Sequence, residues 1–144
     1  MAGTVEGITI VLDSSGATRV VEAVDAEAGR GLDGDYHGDL TLIASESLEG
    51  LLEETGIRLS GEQSRRNVLT RGIDLNALVG QRFSVGDVEA VGVELAEPCT
   101  KLQQISGEPG VLRGLVHRAG LRADVVASGR IRVGDAVRGP DAGR

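Results

Sequence analysis

The only cysteine of this 144-residue chain, Cys99, is the most reactive side chain in the sequence. It follows Pro98, which cannot donate to a sheet hydrogen bond, so the strand predicted before it ends there and a loop begins. Lys101 lies two residues further on, and a nearby positive charge favours the thiolate form of a thiol. A thiolate is both a nucleophile and a soft ligand for transition metals. Buried, inert thiols are also common, so the position alone leaves a structural role open.

A second group of candidate residues lies between positions 58 and 71, where four arginines accompany a single acid, Glu62. In a chain of net charge −7, this local excess of positive charge is typical of bidentate binding to a phosphate or a carboxylate. A solvated, exposed face is the alternative interpretation. The candidate binding residues of this segment are Arg65, Arg66, Asn67, Thr70 and Arg71.

A third candidate is the glycine-rich segment Gly31–Gly38, whose glycines would let backbone amides approach a ligand closely. His37 in this segment is a candidate donor or metal contact. No helix is predicted directly after the segment, so it is not a nucleotide-phosphate fingerprint, and a plain turn is equally compatible with it. His117 is the only other histidine and no Cys-x-x-Cys is present, so a zinc site is not expected.

Lys101 is the only lysine, so a Schiff base with pyridoxal phosphate would have to use it or the N-terminus. A lone exposed lysine needs no such role, and we expect no covalent pyridoxal phosphate adduct. A serine hydrolase is also not indicated, because the chain has no Gly-x-Ser-x-Gly elbow.

The composition indicates the architecture that must position these residues. Glycine supplies 22 of 144 residues and the only aromatic residues are Tyr36 and Phe83, so the core must be aliphatic and the turns numerous. This favours a compact β-barrel or β-sandwich. The negative charge and the lack of aromatic stacking platforms disfavour nucleic-acid binding. One cysteine excludes an intrachain disulfide, and with no signal sequence and no bilayer-length apolar run we expect a cytoplasmic protein without a membrane segment.

Alternating and apolar runs predict strands along most of the chain, opening with a hairpin. The runs are Val5–Leu12, Thr18–Val24, Leu40–Ala44, Gln81–Val85, Val88–Leu95, Arg122–Ala127, Arg130–Val133 and Ala136–Arg138. An amphipathic helix is predicted from the N-cap Ser45 to the stop at Gly56, and a shorter one over Val111–Ala119. We therefore expect a mainly β domain over residues 3–138 with one or two short peripheral helices and a flexible tail over residues 139–144.

One sequence pattern occurs twice. Arg82–Asp87 and Arg130–Asp135 are both a short strand followed by Gly-Asp, 48 residues apart. The pattern fits two independent turns that use the same residues, or a duplicated half-barrel.

In this order, the three candidate segments resemble the MOSC domain, the module named from the C-terminal part of molybdenum cofactor sulfurases. The resemblance covers roughly residues 3–138, and its specific part is Arg-Asn-x-x-Thr-Arg-Gly-x-Asp-Leu followed later by Pro-Cys. The matching segments are Gly31–His37, Ser64–Leu75, Gly80–Asp87 and Glu97–Leu102.

The resemblance implies a MOSC-like β-barrel that binds the molybdenum cofactor, molybdopterin, with Cys99 as molybdenum ligand or as the carrier of a persulfide sulfur. Some members of this family reduce N-hydroxylated compounds with electrons from partner redox proteins, and others have no assigned reaction. It therefore implies a small-molecule cofactor or substrate and an electron-donor or sulfur-donor protein as partners. The residues that would contact the cofactor or substrate are Arg65, Arg66, Asn67, Thr70, Arg71, His37 and Lys101.

The chain departs from the family pattern in two respects. Tyr36 stands where members often have an arginine, so His37 would have to supply that contact. The chain also has neither the aminotransferase-like domain of the sulfurases nor the N-terminal domain of the amidoxime-reducing relatives, and we expect that it does not extract sulfur from cysteine by itself. A non-catalytic carrier of sulfur or cofactor and an interaction module that has lost the site remain the alternatives.

Overall fold

The computed structural model describes residues 1–96, 114–115 and 117–140. Seven strands of the larger sheet close into a barrel, because the first and last strands of the chain pair with each other. The strands are β1 Ala2–Val11, β2 Thr18–Val21, β3 Ala23–Glu27, β4 Gly31–Leu32, β5 Leu40–Ala44, β6 Val68–Arg71, β7 Arg82–Val85, β8 Val88–Leu95, β9 Leu121–Ala127, β10 Gly129–Arg132 and β11 Ala136–Arg138. The α-helix α1 spans Ser45–Thr55, and a short 3₁₀ helix spans Leu75–Leu78.

Around the barrel the strands follow the order β11-β7-β8-β9-β5-β6-β1 and return to β11. β2 is added to the free end of β1, while β3, β4 and β10 form a separate three-stranded sheet. β5 and β6 are the parallel pair, joined by a connection that contains α1. The predicted mainly β barrel is confirmed.

β1 is long enough to change partners along its length. Its first residues pair with β11 and its last residues pair with β2, and the register against β6 shifts between Val5 and Gly7. A shift of this kind accommodates an extra residue on one strand and redirects its side chain. The extra residue is Glu6, which leaves the alternation of the barrel wall and reaches Ser45 and Arg71 outside it.

The aliphatic core fills the barrel, as the composition predicted. A second, smaller apolar cluster lies outside the barrel, where α1 covers the outward faces of β5 and β6. Leu48 and Leu51 of α1 pack there with Ile43, Leu115 and Ala119. Leu115 and Ala119 are thereby packed against the helix and the barrel wall.

The predicted helix after β5 is confirmed, but Ser45 is not its N-cap. Ala44 is the cap residue and supplies no side-chain hydrogen bond, whereas Ser45 is the first helical residue. The prediction failed because the buried Ser45 hydroxyl donates to the Glu6 carboxylate of β1 instead of accepting from the helix backbone. The second predicted helix, over Val111–Ala119, lies mostly outside the described residues.

The repeated strand-Gly-Asp pattern has two different structures. In the first copy β7 and β8 form a hairpin, whereas in the second copy β10 pairs with β3, and β11 pairs with β1 and β7. The two turns contact each other, because the Asp87 N–H donates to the Arg130 carbonyl and Gly86 N–H to the Ala136 carbonyl. The second copy therefore does not repeat the first as a half-barrel.

Across the described parts of the chain, no helix is both long and apolar enough to cross a membrane.

Candidate functional site

Asn67, just before β6, links the arginine-rich segment to the glycine-rich one. Its amide donates to the Thr9 carbonyl and to Asp35 Oδ1, both at 3.1 Å, and its Oδ1 accepts from the Thr41 N–H at 3.0 Å and hydroxyl at 3.1 Å. Only 2% of Asn67 is exposed. These four hydrogen bonds use the two donors and the two acceptor positions of the amide, so the side chain is fully engaged by the protein.

Asp35 completes this link from the other side. Its Oδ1 also accepts from the Val11 N–H at 2.7 Å, and its Oδ2 accepts from the His37 N–H at 3.2 Å. The carboxylate therefore fixes the backbone of the glycine-rich segment against β1. His37 and Tyr36 are exposed beyond it, with their rings edge to face at 5.2 Å between centroids.

Arg66 connects the arginine-rich segment to the strand that leads toward Cys99. Its Nε–H donates to the Ala119 carbonyl at 2.8 Å and its Nη2–H to the Ala96 carbonyl at 3.1 Å. Ala96 N–H in turn donates to the carbonyl of Gly120 at 2.9 Å. A single guanidinium thus joins the end of β8 to the segment that enters β9.

Arg65 and Thr70 point elsewhere. The Arg65 guanidinium donates to the Gly16 carbonyl in the β1–β2 turn, and its buried Nε has no acceptor among the described residues. Arg65 also adopts a φ of 64°, in the left-handed region that few non-glycine residues occupy. Thr70 is fully buried, and its hydroxyl donates to the Ile43 carbonyl at 3.4 Å.

Arg71 binds two carboxylates on different elements. Its Nε–H donates to Glu6 at 2.8 Å, and its Nη1–H and Nη2–H donate to Glu49 of α1 at 3.2 and 2.5 Å. Hydrogen bonds from Ser45 and then Arg71 hold the pKa of Glu6 below its ordinary value, and Arg71 lowers the pKa of Glu49. The two carboxylates raise the pKa of Arg71 itself, Glu49 most. This ion-pair cluster ties α1 to β1 and β6.

An open cavity of about 500 Å³ lies where β5 and β6 end, and we call it the α1 cavity. This volume falls within the range of small-molecule sites. The residues around it come from the first turn of α1, the loop after β6 and the segment before β9: Ala44, Glu46, Ser47, Gly72, Ile73, Asp74, Leu75, Asn76, His117, Arg118 and Gly120. The second half of the arginine-rich motif, Gly72–Leu75, therefore forms part of its wall.

The proposed ligand residues Cys99 and Lys101 lie outside the described residues, so their predicted roles stay predictions. No group of three or more histidine, cysteine, aspartate or glutamate side chains suited to a metal ion occurs in residues 1–96, 114–115 and 117–140. Of the other candidates, Asn67 joins the arginine-rich segment to the glycine-rich one, and Arg66 joins it to Ala96 at the end of β8. Arg65, Thr70 and Arg71 contact other parts of the fold, and their assignment to a ligand also stays a prediction.

The sequence interpretation did not single out Asp35, Asp74, Glu46 or Arg122. Arg122 lies opposite Glu94 across β8 and β9, and its Nε–H donates to that carboxylate at 3.0 Å, which raises the pKa of Arg122. The alternation of apolar and polar residues along β9 would have predicted that the Arg122 side chain points outward. The partners of Asp35, Val11 and Asn67, come from distant parts of the chain, so no local pattern marks its role. Asp74 belongs to the arginine-rich motif, and its side chain accepts from the nearby Asn76 N–H.

The closed seven-stranded barrel with an outer helix and an arginine-rich segment before β6 defines a class of small β-barrel domains. The model of the family described as "MOSC domain" matches residues 31–138, three quarters of the chain, and the protein belongs to this family. The comparison with curated proteins finds no match.

Solved structures share the fold at low sequence identity. The crystal structure of the YuaD protein from Bacillus subtilis superimposes with a TM-score of 0.84 at 18% identity, covering 95% of this chain and 94% of that one. YiiM from Escherichia coli gives a TM-score of 0.72 at 16% identity, covering 98% and 70% of the two chains. YiiM from Geobacillus stearothermophilus gives 0.69 at 14% identity, covering 98% and 74%. At these identities the likeness concerns the fold.

Proposed function

We propose that this MOSC protein binds the molybdenum cofactor through Cys99 and acts as the cofactor-binding part of an oxidoreductase. The observation that supports the proposal most is that the arginine-rich segment contacts both the glycine-rich segment and the end of β8. Asn67 is hydrogen-bonded to Asp35 of the glycine-rich segment, and the neighbouring Arg66 to the Ala96 carbonyl, where β8 ends before the Pro-Cys pair.

The chain length between Ala96 and Cys99 supports the same proposal. Three residues of extended chain reach at most about 11 Å. The Ala96 N–H donates to the Gly120 carbonyl, and the Ala96 carbonyl accepts from Arg66. A chain of this length would keep the Cys99 thiolate within reach of the Arg66 guanidinium, which binds Ala96.

The donors of the described residues fit an anionic cofactor in one respect. The Arg65 Nε–H is buried without an acceptor among those residues, so it is an unmet donor of the kind that a phosphate oxygen would satisfy. Arg66, which binds the Ala96 and Ala119 carbonyls while Arg65 binds the Gly16 carbonyl, would supply a second cationic group. In this proposal Cys99 would hold the metal, and Arg65 and Arg66 would hold the negatively charged part of the cofactor.

When bound, the cofactor supplies two-electron redox chemistry. The chain itself would supply the soft thiolate ligand. Arg66 holds the Ala96 and Ala119 carbonyls, which lie on either side of the segment that carries Cys99. Asn67, the next residue, is hydrogen-bonded to Thr41 of β5, and these bonds fix the backbone beside Arg66.

The test is the metal and pterin content of protein purified from a host that makes the cofactor. We expect molybdenum and pterin fluorescence in the wild type and in Arg19→Gln, an exposed arginine outside the site, and loss of both in Cys99→Ser. Wild-type protein without molybdenum and pterin would contradict the proposal.

Sulfur transfer through the same thiol is the second candidate function, because a thiolate can accept a sulfur atom as well as a metal. The Cys99 thiolate would attack the outer sulfur of a donor persulfide, and the donor would leave as a thiolate. Mass spectrometry after incubation with such a donor would then show one added sulfur atom on Cys99. A persulfide without bound molybdenum favours the carrier function.

A further inference from the structure

We propose that the α1 cavity binds a small organic cation, an ammonium group on a compact apolar body, through Glu46 and Asp74. This inference goes beyond the proposed function, because it involves neither Cys99 nor the cofactor.

The first observation that supports this proposal is the charge of the cavity wall. Among the described wall residues, Glu46, Asp74 and Arg118 carry charged side chains, and His117 contributes an imidazole. The Arg118 guanidinium is already compensated, because its Nη2–H donates to the Glu54 carboxylate, and it also bonds the Gly114 carbonyl through Nε at 3.1 Å and Nη2 at 2.7 Å. The two carboxylates therefore dominate the wall, which favours a cation over a phosphate or a carboxylate.

The nearest arginine of the motif does not offset this charge. Arg71 precedes the wall residue Gly72, but its guanidinium binds Glu6 and Glu49, neither of which lines the cavity. The cationic part of the motif thus points to the ion-pair cluster, and the part that lines the cavity is acidic or apolar.

Each wall carboxylate is fixed by one oxygen. Glu46 Oε2 accepts the Gly72 N–H at 2.8 Å, and Asp74 Oδ1 accepts the Asn76 N–H at 3.1 Å. The second oxygen of each carboxylate has no hydrogen bond or ion pair within the described part of the chain. Two positioned acceptors are therefore available to the N–H groups of a ligand.

The shape of the cavity defines the rest of the ligand. Ile73 and Leu75 are buried and give the cavity an apolar side, and its volume of about 500 Å³ admits a body of one ring. No phenylalanine, tyrosine or tryptophan is among the described wall residues, and their one ring is the His117 imidazole. Recognition of the cation therefore rests on the carboxylates and weakens as salt is added.

The test compares three ring compounds of one size and different charge: benzylamine as the cation, benzyl alcohol as the neutral compound and benzoate as the anion. Their binding to the purified full chain is measured by isothermal titration calorimetry at low ionic strength. We expect benzylamine to bind more tightly than benzyl alcohol and benzoate to bind weakest. Equal binding of the three, or a preference for benzoate, overturns the proposal.

Variants locate the binding. Glu46→Gln and Asp74→Asn keep the acceptor for the backbone N–H, so the fold is retained, but each removes one charge. We expect each to weaken benzylamine binding about threefold to fivefold, the range of a partly exposed charge pair. Glu53→Gln, an exposed acid of α1 that is not in the cavity wall, should bind like the wild type.

Cys99→Ser separates this proposal from the proposed function. Retained benzylamine binding in Cys99→Ser, together with weakened binding in Glu46→Gln and Asp74→Asn, supports the cavity as an independent site. Unchanged binding in the double variant of Glu46 and Asp74 overturns it, whatever the molybdenum content of the protein.

Discussion

Replacing Asn67 by alanine tests whether this side chain joins the barrel to the glycine-rich segment. The substitution removes four side-chain hydrogen bonds in a position that is 2% exposed, and it leaves the Thr41 N–H and the Thr9 carbonyl without their side-chain partner. A typical intramolecular hydrogen bond contributes about 1 kcal/mol net, and a buried polar group left without a partner costs about 1–3 kcal/mol. The expected loss is about 3–4 kcal/mol of the free energy of unfolding, a large part of the roughly 5–15 kcal/mol available to a domain.

The assay is urea unfolding followed by circular dichroism, with the wild type and the variant compared at one m-value. Asn76→Ala is the matched control, because the exposed Asn76 side chain makes a single hydrogen bond, to the His117 carbonyl at 2.9 Å. We expect that control to cost less than about 1 kcal/mol. An Asn67→Ala cost as small as the control's would refute the reasoning.

A second substitution at the same position separates the fold from the ligand. Asn67→Asp keeps the size and the acceptor but loses both N–H donors and places a carboxylate against Asp35 Oδ1. We expect it to destabilise at least as much as alanine, because two like charges would then share a partly buried contact. Full stability in Asn67→Asp would show that the amide donors are not needed by the fold.

Three further predictions concern the elements around the site. Gly120 has a φ of 114°, and Gly120→Ala would bring a methyl carbon within 1.9 Å of a β5 carbonyl oxygen. We expect this variant to lose more than about 3 kcal/mol of the free energy of unfolding, measured with urea. Gly29→Ala, where the added methyl meets no atom, should lose about 1 kcal/mol. Arg71→Gln should reduce the loss of stability on acidification. Arg71 lowers the pKa of Glu49, so the stabilisation from this ion pair is present above the ordinary pKa of 4.5 and is lost as the pH falls through the lowered pKa. The midpoint of urea unfolding, measured from neutral pH to about pH 3, would report this loss. An equal loss of stability in acid for the variant and the wild type would contradict the assignment of this effect to Arg71. Leu115→Ala should cost about 2–5 kcal/mol by thermal or urea unfolding, since the side chain is fully buried in the outer cluster, and a negligible cost would show that the segment before β9 is not fixed there.

Much of the fold could be predicted from local sequence. Alternation and turn residues mark β8 over Val88–Leu95 and β11 over Ala136–Arg138 at the observed boundaries, and the apolar stripe with Gly56 marks α1. Glycine in the left-handed conformation ends that helix, with a φ of 74°. These features succeed because each depends on residues that are neighbours in the chain.

The failures come from contacts between distant segments. Ser45 has the residue type of an N-cap, but its hydroxyl donates to Glu6 on a strand 39 residues away. The bulge that exposes Glu6 arises where β1 changes its pairing, and no local pattern records that change. The same applies to the repeated Gly-Asp pattern, whose second copy divides its strands between two sheets.

For the candidate site, the sequence by itself determined which residue types are present: one thiol, a run of arginines and a glycine-rich acidic segment, in an order specific to the MOSC family. Only the tertiary structure decided where these side chains are directed. Arg65, Arg66 and Arg71 lie within seven residues of one another and yet contact the β1–β2 turn, the ends of β8 and β9, and α1. The physical reason is that each guanidinium binds the hydrogen-bond acceptors that the packing of the fold places within its reach. Those acceptors come from segments that are far apart in the sequence.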